Sequence, residues 1–271
     1  MGWLSIRTFN HTQVASRGKL RKQLRKAARG NTQAFKVVTD QYLNFITEFL
    51  VISGYHEEDR IQGYCREVLH NIWLRSAYIR RVSDFERQLF IFLKQIPINV
   101  APFQNLLTQR LVMLNSLQRF LLVGRDLESW SSKNLSLAMR VPKYELRKPL
   151  YDAWKTLVGF RLSDLDFNTN ECMEKVVENM EGALDHIQQR RLCKKVKENA
   201  MASQFKADCL NLRCELVELR QNARWEQEAR SQFFKDLRED IAMIMQWKPE
   251  LGERLKNQVS FQCLHLETNG S

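Results

Sequence analysis

The chain of 271 residues carries 42 Lys and Arg against 31 Asp and Glu, a net charge of +11, with an isoelectric point near 9.5. Only 10 glycines and 5 prolines interrupt a composition rich in Leu, Arg, Lys, Gln and Glu, which argues for helices and against a strand-and-turn architecture. Six cysteines at irregular positions are too few for a disulfide framework in a chain this long, no apolar run reaches membrane-span length, and the basic start lacks a signal-peptide core. The expectation is an all-α, cytoplasmic protein with an anionic partner.

Residues 1–29 hold eight Lys or Arg and no acid, a basic arm over 1–19 running into the first helices. A first helical unit is expected over 20–96, with apolar residues recurring at three and four. Phe35, Val38, Tyr42, Phe45 and Phe49 fall on one helix, Tyr64, Val68 and Ile72 on a second, and Leu89, Phe92, Leu93 and Ile96 on a third. Asn31 or Thr32 suits the cap of the first, Gly54 ends it, and Glu57, Glu58 and Asp59 suit the positive end of the next helix dipole.

Pro97 and Pro102 each remove a backbone donor, so 97–105 reads as a linker. The second unit, 106–160, has a helix through Leu114, Leu117 and Leu121, a short helix over 135–139, a turn at Val141 and Pro142, and a last helix from Lys143. Helix, short helix, turn, helix is the outline of a helix-turn-helix module. A polar break near Asp164 opens a helical extension over 161–271. In it, Cys209, Leu212, Leu216, Leu219 and Ala223 keep a four-three rhythm that fails at Glu226 and Arg230 and resumes at Phe233. One long helix or a helical hairpin would satisfy this.

No HExxH pair, nucleophile elbow or phosphate-cradling glycine loop is present, so no catalysis and no cofactor are expected.

Read together, RGNTQAFKVVTDQYLNFI (29–46), REVLHNIWLR (66–75), FERQLFIFL (85–93) and the stretch 114–157 resemble the sigma-70 superfamily, specifically its small two-domain members of the extracytoplasmic-function type. In the last stretch Arg119, Leu122, Arg125, Ser131, Leu135, Ala138, Val141, Leu146, Arg147, Leu150 and Ala153 fall on matching places. The resemblance covers about half the chain and departs from the family pattern at Gly63, Gln88, Pro149, Asp152 and Trp154. It implies an RNA polymerase sigma factor that binds core polymerase and directs promoter recognition, with an anti-sigma factor as a further partner. It also implies that Glu67, Leu69 and Trp73 dock on polymerase, that Phe85 with Arg80 and Arg81 faces melted promoter DNA, and that Lys143, Tyr144, Arg147 and Lys148 read duplex DNA. Two other readings stand beside it: a degenerate sigma-like regulatory or interaction protein without promoter reading, and a stand-alone helix-turn-helix regulator. Within the extension, 171–192 and 204–220 faintly resemble zinc-associated anti-sigma domains, which would make Cys209 and Cys214, with Cys172 and His186, a tetrahedral ligand set; buried or surface helical cysteines are the plainer account.

Overall fold

The computed structural model describes residues 17–100, 105–159, 166–180 and 182–247. Every regular element among them is helical, and thirteen α-helices follow one another. None is long and apolar enough to cross a membrane. Residues 1–16 of the basic arm over 1–19, residues 101–104 of the linker, and residues 160–165, 181 and 248–271 lie outside the described residues.

The first unit begins with α1 (Arg17–Ala27) and α2 (Thr32–Asp40), joined through Gly30 at φ +84°. Asn31 caps α2 by accepting the Ala34 N–H at 2.8 Å, as its position before an apolar run suggested. The single helix expected through Phe35 and Phe49 is instead two, breaking at Gln41 and Tyr42 before α3 (Leu43–Ile52). Two contacts hold the break. The Tyr42 hydroxyl donates to Glu86 at 3.0 Å, and the Arg230 guanidinium, from far along the chain, donates to the Asp40 carboxylate at 2.7 Å and to the Asp40 carbonyl.

Helix α3 is covered on nearly every side: all of its residues except Asn44 are buried, Glu48 included. A helix apolar all round belongs in the middle of a fold, and α3 lies against α2, α4 (Glu58–Leu74), α6 (Leu106–Met113), α7 (Ser116–Leu122) and the π-helical turn Val123–Leu127. Gly54, at φ +93°, ends it. A Cβ there would lie 2.2 Å from the Asn99 carbonyl oxygen, so only glycine lets the chain returning from α5 (Val82–Leu93) bind this turn. Asn99 secures the approach by donating from its backbone N–H to Ser53 and from its amide to Gly54.

The buried residues of both units and of the extension form one hydrophobic core. Phe45 stacks on Trp130 at 4.5 Å and meets Phe120 at 4.8 Å, and Phe90 meets Phe120 at 4.9 Å. The two units and the extension therefore share one core and do not fold as separate bodies.

The extension is α10 (Phe167–Met180), α11 (His186–Glu198), α12 (Ala200–Asn222) and α13 (Gln227–Trp247). The broken rhythm near Glu226 corresponds to the break between α12 and α13, and α13 then lies against α4 and α2. Helix α12 buries Phe205, Cys209 and Leu216, and α13 buries Phe233, Phe234, Leu237 and Ile241.

Candidate nucleic-acid interface

Helix α8 (Ser132–Met139) is capped by Ser131, which accepts the Asn134 N–H at 3.2 Å. It ends at Arg140 in the left-handed region, φ 55°, and Pro142 prevents its continuation. A 3-10 turn, Lys143–Leu146, then leads into α9 (Arg147–Val158). Gly124 lets α8 approach the π-helical turn, since a Cβ there would lie 2.8 Å from the Leu135 side chain. That turn also sends Trp130 inward: the Trp130 N–H donates to the Gly124 carbonyl at 2.6 Å, and Arg125 donates to the Trp130 carbonyl at 2.6 Å.

The start of α9 is open. Lys143, Tyr144, Arg147 and Lys148 are all exposed, Tyr144 by 69%, while Leu146, Leu150, Ala153, Trp154 and Leu157 fix the opposite face in the core. Pro149, a departure from the family pattern, costs little here. Because the α-helix begins at Arg147, Pro149 lies in its first turn, where a backbone N–H has no carbonyl to serve. The half-exposed Arg147 guanidinium is 3.1 Å from the buried carboxylate of Glu178 of α10, which also receives Lys175.

The other residues singled out by the resemblance divide sharply. Arg80, Arg81 and Glu67 are exposed. Phe85, Leu69 and Trp73 are 0% exposed, with Phe85 against Tyr42 at 4.8 Å and Trp73 edge-on to Phe35 at 5.0 Å. In this conformation those three are core side chains that no partner reaches, because helices α4 and α5 turn their apolar stripes inward as the periodicity demands. Part of the α4 surface is covered as well: Arg66 donates to Asp236 of α13 at 2.7 Å, and His70 lies 3.7 Å from Asp240.

The proposed zinc ligands do not meet. Cys172 and Cys209 are buried, Cys214 and His186 are exposed, and no three metal-ligating side chains converge among the described residues. Burial pushes the thiols of Cys65, Cys172 and Cys209 above the ordinary range, which disfavours the thiolate that metal binding and redox chemistry need.

Sequence patterns gave no sign of the buried ionic network beside the module. Arg220 of α12 donates to Glu48 at 2.9 Å and to Glu128 at 2.8 Å, and Arg213 stands 3.9 Å from Asp126. On the far side, Glu86 receives both Arg17 and Tyr42. Burial is the first cause in holding the carboxyls of Glu48, Asp126 and Glu86 above the usual carboxylate range. A carboxyl with a raised folded-state pKa favours the folded state below its unfolded value, and this contribution is lost as pH rises through the raised one. His70, its pKa lowered by burial, works in the opposite sense, and H70Q removes it. The change in melting temperature from about pH 7.5 to about 5.5 should therefore be more favourable in H70Q than in the unmodified protein; identical changes would mean that Asp240 offsets the burial of His70.

A scan of protein-family models, a search of curated proteins and a search of solved structures each return no match. The functional reading rests on the residues.

Proposed function

We propose that the chain is a cytoplasmic transcription initiation factor of the sigma type, which binds core RNA polymerase and places α8, the turn and α9 on promoter DNA. One observation carries the reading. A helix-turn-helix module fixed in the core leaves Lys143, Tyr144 and Lys148 exposed at the start of α9, the arrangement that major-groove reading uses. Polymerase binding is inferred from the resemblance over residues 29–157.

The test is a pull-down of the full chain with its host's core polymerase, followed by run-off transcription on fragments of the host genome. Saturable binding and factor-dependent transcripts are expected. The double variant K143A/K148A should keep polymerase binding and lose promoter-specific transcripts by roughly tenfold or more, since base contacts are worth about 1–3 kcal/mol each. Failure to bind polymerase overturns the reading, and duplex binding by a chain that fails to bind polymerase selects the stand-alone regulator.

A second reading has its own support. Helix α13 occupies part of the α4 surface through Arg66, and Phe85, Leu69 and Trp73 are inside, which suits a sigma-like interaction protein that no longer reads promoters. Polymerase binding without any transcripts would select it.

A further inference from the structure

Charge in the extension is sorted by helix. Helix α10 carries Lys175 against Glu171, Glu174 and Glu178, α12 mixes Lys206, Arg213 and Arg220 with Asp208, Glu215 and Glu218, and α13 mixes both signs as well. Helix α11 differs: Arg190, Arg191, Lys194, Lys195 and Lys197 face a single acid, Glu198. At 100° per residue, Leu192 and Val196, the two buried residues of α11, define its inner face, and Arg190, Lys194 and Lys197 lie on the outer one. All five cations are exposed. Among the described residues their only ion pair is a loose one, Lys194 to Glu198 at 4.0 Å. A helix whose surface served solvation alone would mix signs as α12 and α13 do and gain from pairs one turn apart; α11 forgoes that gain.

Its place in the fold indicates the partner. Asn199, at the end of α11, donates to Thr169 at the start of α10 at 2.7 Å, so the two helices run antiparallel and α11 begins beside the end of α10. There Glu178 of α10 holds Arg147 of α9. The basic helix thus starts at the same end of the α9, α10, α11 layer as the exposed start of α9. A membrane surface would ask for large apolar side chains flanking the cations, whereas Ile187 is the one large apolar residue of α11 that is exposed.

We propose that α11 is a phosphate-contacting surface that tracks the backbone of duplex DNA flanking the site read by α9. This rests on α9 being the DNA-reading helix. Arg190, Lys194 and Lys197 span about 10 Å of helix, and each phosphate they neutralise releases counterion. Their contribution is independent of sequence and steepens the salt dependence of binding.

Fluorescence anisotropy of the full chain on a labelled duplex, from about 50 to about 200 mM KCl, tests this. The triple variant R190Q/K194Q/K197Q keeps good helix formers in place, and circular dichroism melting confirms that it folds. Its binding should weaken on the order of 100-fold at about 100 mM salt, and its salt slope should fall by roughly 2 to 3, at about 0.9 per phosphate. The control K235Q/R238Q, which removes exposed charge from α13, should leave the slope nearly unchanged. An unchanged slope in the triple variant while K143A/K148A weakens binding overturns the α11 assignment and leaves the α9 reading intact. The converse pattern, a lower slope in the triple variant with K143A/K148A binding as before, overturns the α9 reading and with it the placing of α11 on DNA flanking that site. An equal loss in the control, or no duplex binding by the unmodified chain at the lowest salt, overturns the assignment.

Discussion

Replacing Arg220 by alanine should cost about 3–5 kcal/mol of unfolding free energy, read from urea denaturation of the full chain. The guanidinium, 15% exposed, is shared by Glu48, which is 0% exposed, and by Glu128. Without it, the Glu48 carboxyl faces Glu128 with their shared cation gone, and burial first, then Glu128, already raises the Glu48 pKa. Removing one member of a buried ionic group leaves an uncompensated charge, which is far more expensive than never having built the group. The comparison that isolates this cause is R220M with E48Q. If the loss comes from the stranded charge, the pair should recover most of it; a double variant as unstable as R220A alone would place the loss in packing instead. A cost below about 1 kcal/mol for R220A would mean that water reaches Glu48 and that α12 does not seal it.

The second large effect concerns Phe85. Truncation to alanine should destabilise the protein by about 3–5 kcal/mol, because the ring is fully buried against Tyr42 and its removal leaves a cavity that the surrounding helices fill only in part. The resemblance assigns the same residue to melted promoter DNA, and the two roles separate cleanly. A residue whose work is contact with a base lies at the surface and changes stability by about 0.5 kcal/mol or less when truncated. F85A melting close to the unmodified protein, with transcription lost, would restore the DNA role; a large fall in melting temperature would confirm the core role. F85L, which keeps most of the volume, should lose distinctly less.

Periodicity in the sequence located most of the helices, and the reasons for its failures are local. Helices α4, α5 and α8 follow from apolar spacing, and the start of α2 from the cap at Asn31. The break between α2 and α3 was hidden because Phe35, Val38, Tyr42, Phe45 and Phe49 keep step across it; what holds the break open is Arg230, 190 residues away. The four-three rhythm failed at Arg230, whose guanidinium pairs with the partly exposed Asp40. Glu48 lies within the apolar run of α3, and its pairing with Arg220 was not read from the sequence. Of the candidate interface, the open start of α9 was legible from the turn at Val141 and Pro142. The burial of Leu69, Trp73 and Phe85 against the first unit's own helices follows from apolar spacing, whereas the resemblance transfers a residue's place in the chain without the side of the helix it faces.

The long reach of Arg220 also sets an order of events during synthesis. Glu48 is made 172 residues before the arginine that pairs with it. At about 5–20 residues per second, this leaves roughly 10–30 s in which the chain emerging from the ribosome has its central helix and no partner for that helix's carboxylate. Through that interval the early helices hold an acidic slot open, and the chain's own twelfth helix is what closes it.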